Sequence, residues 1–136
     1  MKTLQIVCLL GIITLGYTAC KKDKMPEKTN QEKIIGKWNY ISQANETTIP
    51  PNPTKTTTKP GKPGDYWSFA ADGKIYYVMN ASAEKSLGYN FNSDTEISIS
   101  GEGAFTISEL GETRMILRRT DEESNNRYST TITLTR

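Results

Sequence analysis

Few residues in this chain are of types that do chemistry, and where they stand limits them further. There is no histidine, which removes the Ser-His and Cys-His nucleophile pairs, the His-bearing zinc sites and the imidazole general base together. The run Asp121-Glu122-Glu123 would attract a hard cation, but calcium loops need spaced oxygen ligands and a glycine at the bend, so it reads as a solvated polar loop. Asp94 and Glu96 share one face of a strand, as the two carboxylates of a glycosidase would; next to a turn, that pattern is surface charge. Arg118 and Arg119 point to opposite sides of their strand and form no guanidinium clamp. Asn45-Glu46-Thr47 has the spacing of a glycosylation acceptor, a pattern that also arises by chance. No Gly-rich phosphate loop is present. No catalytic residue, metal-ligand set or cofactor is expected, and the chain reads as non-enzymatic.

The remaining chemical signal is aromatic. Trp38, Tyr40, Trp67, Phe69, Tyr76, Phe105 and Tyr128 fall in phase on the strand faces expected to point inward. Large rings there either line a pocket for a small apolar or amphipathic ligand or close it, and inward tyrosine hydroxyls need polar partners.

At 136 residues the chain is one domain in size. Its 17 basic and 15 acidic residues nearly balance, without the clustered basic excess that nucleic-acid binding requires. Thr29 and Glu32 have capping-box spacing ahead of a short helix, Asn30 to Ile35, ended by Gly36. Beyond it the pattern is β. Lys37 to Thr48 places Trp38, Tyr40 and Ser42 on one face, against Asn39, Ile41 and Gln43 on the other. Residues 49–64 hold five of the six prolines and read as an extended surface loop. Asp65 to Ala71 and Lys74 to Asn80 flank Asp72-Gly73, the signature of a two-residue type I′ hairpin. That turn pairs Phe69 with Tyr76 and Trp67 with Val78 on the inner face. Tyr66, Ala70, Ile75, Tyr77 and Met79 then fall on the other face, which the helix or the Pro-rich loop is expected to cover. Strands follow at Ser86 to Phe91, Thr95 to Ser100, Ala104 to Leu110, Thr113 to Thr120 and Arg127 to Thr135, with Asp121 to Asn126 as a polar loop. Eight amphipathic strands joined by tight turns leave two open edges unless the sheet closes, so the expected fold is an all-β, eight-stranded antiparallel up-and-down barrel with a short N-terminal helix.

The first nineteen residues are of another kind. Lys2 precedes the apolar run Ile6 to Leu15; ten helical residues span only about half of a ~30 Å hydrocarbon core, so the segment reads as a signal peptide, residues 1–19. Tyr17-Thr18-Ala19-Cys20 resembles the lipobox of bacterial lipoproteins, with Tyr17 where that motif usually has Leu. The resemblance implies acylation of Cys20, the only cysteine left after cleavage, and a membrane anchor. Residues 20–29, polar and lysine-rich, read as a flexible tether ahead of a domain spanning 30–136. Cys20-Lys21-Lys22-Asp23 resembles the segment after the cysteine in lipoproteins of Bacteroidetes-type bacteria, which implies placement on the outer membrane, facing either the periplasm or the surface.

Gly36-Lys37-Trp38 resembles the Gly-x-Trp opening of lipocalins, whose Trp plugs one barrel end. Phe69-Ala70-Ala71-Asp72-Gly73-Lys74 and Phe105 to Leu110, leading to Met115-Ile116-Leu117, resemble hairpins of the bacterial lipocalin-like domain of small lipoproteins. The resemblance spans Gly36 to Thr135 and implies a lipocalin-like, calycin-like barrel of unassigned ligand, with no shared catalytic motif. The expected function is non-catalytic binding of a small apolar or amphipathic ligand; the alternative is a filled barrel that docks an envelope or glycan-handling partner.

Overall fold

The computed structural model describes residues 26–136. The signal-peptide, Cys20 and most of the tether expectations therefore lie outside the described residues. Helix α1 is Asn30–Ile34, and its capping box is formed: the Thr29 hydroxyl accepts from the Glu32 N–H, and the Glu32 carboxylate accepts from the Thr29 N–H at 2.8 Å. Those two bonds satisfy otherwise orphaned donors in a helix too short to stand on propensity, and donation to the Glu32 carboxylate by the Thr29 N–H, then by the Thr29 hydroxyl, holds that carboxyl below its usual range.

The strands are β1 (Gly36–Thr48), β2 (Lys55–Pro60), β3 (Tyr66–Phe69), β4 (Lys74–Val78), β5 (Lys85–Ser93), β6 (Glu96–Ile99), β7 (Gly103–Leu110), β8 (Arg114–Glu123) and β9 (Asn126–Thr135). Every pairing is antiparallel, and β9 returns to β1 from Asn39↔Thr135 to Thr48↔Arg127, which closes the sheet. β3 and β2 lie end to end along the other edge of β1, against Gly36–Asn39 and Ser42–Thr47 respectively. Nine segments thus make eight staves, an antiparallel up-and-down barrel with a short N-terminal helix. β2, β1, β9 and β8 run past the rim as a four-stranded flap, on which every residue of β2 is exposed.

Four local expectations are corrected. Residues 49–64 are not all loop: Thr56, Thr57 and Thr58 are β-branched and extend the sheet opposite Glu46, Asn45 and Ala44. Pro60 is tolerated because it ends an edge strand. The hairpin after β3 pairs Phe69 with Ile75 and Trp67 with Tyr77, one residue off the expected register. The Gly73 N–H donates to the Ala70 carbonyl and the Ala70 N–H to the Lys74 carbonyl, with Gly73 at φ 80°, so this is a type I turn followed by a glycine bulge. That one extra residue turns Ile75, Tyr77 and Met79 inward and Tyr76 outward. The apolar outer face that seemed to need a cover is therefore largely the inner face. On β1 the register slips between Tyr40 and Ser42, so Ile41 is a bulge and Gln43, not Ser42, continues the inward row. The loop expected at Asp121 to Asn126 is a hairpin tip: Ser124 and Asn125 both have positive φ, 48° and 69°, and the strands run up to them.

A similar tight turn joins β4 to β5, with Asn80 and Ala81 at φ 56° and 55°. Alanine resists that region by about 1–2 kcal/mol, and glycine does not. Ala81→Gly is expected to stabilise the protein by about 0.5–1 kcal/mol, seen as a higher urea midpoint at unchanged slope.

The core is one cluster inside the barrel. Ile34, Trp38, Ile75, Ile97, Met115, Leu117 and Leu134 are fully covered, and Phe69 and Phe105 are 1 % exposed. A chain of rings, Tyr40–Trp67–Phe69–Tyr89–Phe91, tilted in its first two contacts and edge-on in its last two, links them at centroid spacings of 5.3–6.2 Å.

Candidate functional site: the barrel mouth

The two ends of the barrel differ. At the closed end, Trp38 donates its indole N–H to the Ile34 carbonyl at 2.7 Å, which ties the wall to α1. The Arg136 guanidinium lies 3.9 Å from the Trp38 ring and donates to the carbonyls of Lys33 and Ile35. Arg136 is a residue the sequence reading missed. It sits at the end of the chain, about a hundred residues from its partners, and nothing local marks it.

The mouth is at the other end, beyond Tyr40, Trp67 and Phe105. Its β1–β9 side is polar. The Tyr40 hydroxyl donates to Gln43 at 3.1 Å, the Gln43 amide to Asn45 at 3.0 Å, and the Thr130 hydroxyl to Asn45 at 3.2 Å. This row exists because the Ile41 bulge brings Gln43 and Asn45 onto the inner face. On β8, Arg119 crosses the rim. Its guanidinium stacks 5.6 Å from the Phe105 ring, donates to the Glu102 carbonyl and lies 2.9 Å from an Asp121 carboxylate oxygen. The β7–β8 pairing ends at Thr106↔Arg118, so Arg119 bridges the gap where β8 leaves the wall. On the opposite wall, Tyr77 and Met79 are half-buried apolar side chains packed against the core.

A buried carboxylate supports the rim. Asp65, 3 % exposed, accepts from the Asn80 N–H at 2.7 Å and the Lys62 N–H at 2.9 Å, while its carbonyl accepts from the Tyr40 N–H. It thereby joins the β2–β3 corner to the β4–β5 turn. At that corner Gly61 approaches so closely that a Cβ would lie 2.1 Å from the Tyr40 carbonyl oxygen; no other residue fits.

Burial, then the charges of Asp65 and Glu102, push the Tyr40 phenol up to about 12. The folded state therefore favours the protonated phenol. The stabilisation is fully present below the ordinary tyrosine value near 10 and is lost as pH rises towards 12. Unfolding experiments across that window should show stability falling more steeply in the native protein than in Tyr40→Phe.

Of the seven aromatic residues expected inside, Trp38, Tyr40, Trp67, Phe69 and Phe105 are buried in the barrel. Tyr76 is not: the longer turn puts it on the outer wall beside Ser68. Tyr128 keeps the inward phase but stands on the flap opposite Thr47 and Asp121, 38 % exposed, because β9 there has passed the rim. Asp94 caps no site; its carbonyl accepts from the Asn30 side chain. Among the described residues no three His, Cys, Asp or Glu side chains are grouped to hold a metal ion.

Open depressions of about 300–690 Å³ on the outer surface and rim of the described residues include five that are not lined by Trp38, Trp67, Phe69 or Phe105. Trp38, Phe69 and Phe105 are exposed by only 0–1 %, so almost no water-sized space touches those three rings, while Tyr40 and Trp67 keep 7 % exposure. An eight-stranded barrel is just wide enough to be filled in this way.

No family model matches the chain, and no curated protein matches it. Among solved structures it is similar to apocrustacyanin C2, with a TM-score of 0.47 and 13 % identity over 79 % of this chain and 62 % of that one. It is also similar to a deswapped triple mutant of bovine odorant binding protein, at 0.43 and 14 % over 76 % and 74 %, and to lobster apocrustacyanin A1, at 0.43 and 11 % over 79 % and 62 %. The chain spans less than two thirds of the length of the two apocrustacyanins. The architecture, carried by eight antiparallel staves closed by β1–β9 pairing beneath a short N-terminal helix, is that of a lipocalin-like, calycin-type barrel.

Proposed function

We propose that this chain is a lipid-anchored, non-catalytic binding protein of the cell envelope that takes a small amphipathic ligand at the mouth of its barrel. The observation that carries the reading is the two-sided mouth. Half-buried Tyr77 on β4 and Met79 just beyond its end share the open end of the barrel with a polar row made of Gln43, Asn45, Thr130 and Arg119. A ligand with one apolar and one polar end satisfies both sides, as small-molecule sites ordinarily do with mostly apolar walls and a few placed polar groups. The filled interior keeps such a ligand at the rim. The anchor rests on the lipobox-like Tyr17-Thr18-Ala19-Cys20: acyl chains on Cys20 contribute ~0.8 kcal/mol for each CH₂ buried in the outer membrane.

Titration with 8-anilinonaphthalene-1-sulfonate tests the mouth. One saturable site is expected, weakened tenfold or more by Met79→Asp in protein that circular dichroism shows to be folded, at a lowered unfolding midpoint because Met79 packs against the core. The anchor is tested separately, since Cys20→Ser should abolish palmitate labelling and release the protein from the membrane fraction. A second reading, a filled barrel that docks an envelope or glycan-handling partner, is favoured by the 0–1 % exposure of Trp38, Phe69 and Phe105 in the barrel centre. Absence of any saturable site in the native protein would select it.

A further inference from the structure

The register shift that expels Tyr76 creates a second feature, on the outer wall and away from the mouth's polar row. A cavity of about 300 Å³ is lined by Lys37, Tyr66, Ser68, Tyr76 and Glu84. Two tyrosines on adjacent strands, both half-buried, supply aromatic surface. The charged groups are already oriented. Lys37 Nζ lies 3.8 Å from the centre of the Tyr66 ring, and the Tyr66 hydroxyl donates to one oxygen of Glu84. Neither Lys37 nor Glu84 has an ion-pair partner among the described residues. The Lys37 ammonium and the second Glu84 oxygen keep their hydrogen-bonding capacity, and Ser68, in register with both Lys37 and Tyr76, adds a hydroxyl.

We propose that this cavity binds a pyranose ring of a neutral glycan. One cation and one carboxylate leave no net charge, so neither an anion nor a cation is favoured as ligand. Adjacent hydroxyl groups use both, accepting from Lys37 and donating to Glu84 in charge-assisted hydrogen bonds. The C–H face of the ring packs on Tyr76, whose ring supplies contact area at little entropic cost. The size matches a single sugar unit at the small end of ligand cavities. Orientation of Glu84 by Tyr66 and of Lys37 by the Tyr66 ring means that little order is lost on binding.

The test is ¹H–¹⁵N NMR of the protein titrated with neutral gluco-, galacto- and manno-trisaccharides to 20 mM, with inorganic phosphate and choline as charged controls. At least one trisaccharide should shift the amides of Lys37, Ser68, Tyr76 and Glu84, and the controls should not. Tyr76→Ala should weaken that binding tenfold or more, and Glu84→Gln severalfold, with the unfolding midpoint retained in both. No shift with any trisaccharide would overturn the proposal. So would shifts that survive Tyr76→Ala, or a larger response to phosphate or choline. Because Met79→Asp leaves this wall intact, failure here and failure at the mouth are separate results.

Discussion

Trp38→Ala should destabilise the barrel by about 3–5 kcal/mol, at the upper end for a buried aromatic. The indole is fully covered, donates to the Ile34 carbonyl at 2.7 Å and forms the surface on which Arg136 stacks at 3.9 Å. Its removal opens a cavity at the closed end, frees a buried carbonyl and leaves Arg136 without its platform. A domain of this size holds roughly 5–15 kcal/mol in total, so the variant is expected to be partly unfolded at 37 °C. Trp38→Phe keeps most of the ring volume and loses the N–H, and should cost about 1–2 kcal/mol. Urea denaturation followed by far-ultraviolet circular dichroism measures both. Equal losses in the two variants would mean that the hydrogen bond, not the packing, dominates this end.

Asp65→Ala should cost about 2–5 kcal/mol, because it removes two part-buried hydrogen bonds to a carboxylate, at ~1.5–3 kcal/mol each before water replaces part of them at the exposed Lys62 and Asn80. Its carboxylate is their shared acceptor, at 2.9 Å from Lys62 N and 2.7 Å from Asn80 N. Asp65→Asn retains one good acceptor oxygen and should lose about half as much. The signature is local as well as global: amide hydrogen exchange at Lys62 and Asn80 should accelerate more than at Leu134 in the core. Uniform acceleration would show that the corner unfolds only with the whole barrel.

These residues also mark what could be read from the chain and what could not. Alternation of apolar and polar residues located most of the strands, and Thr29 with Glu32 announced the helix, because those signals are local and periodic. Asp72-Gly73 announced a hairpin but not its loop length. A type I turn with a bulged Gly73 and a two-residue type I′ turn use the same dipeptide, and the difference reverses every side chain of β4. The bulge at Ile41 is equally silent, since no glycine or proline marks it, yet it brings Gln43 and Asn45 to the mouth. Prolines around Thr56 to Thr58 argued for loop, while the overhang of β1 offered those residues a partner strand. Tyr128 was in phase and still exposed, because periodicity gives the face of a strand and not where the barrel ends. Asp65 and Arg136 act through partners distant in sequence, which no short pattern reveals.

The account rests on a barrel packed solid by its own rings, with any ligand confined to the mouth. Crystals of the protein under several atmospheres of xenon test this most directly, because xenon enters dry apolar cavities and leaves filled cores empty. The account predicts no xenon between Trp38 and Phe105, with any bound atom at the rim near Tyr77 and Met79. A xenon atom enclosed by Trp38, Trp67, Phe69 and Phe105 would contradict it and restore a deep ligand chamber.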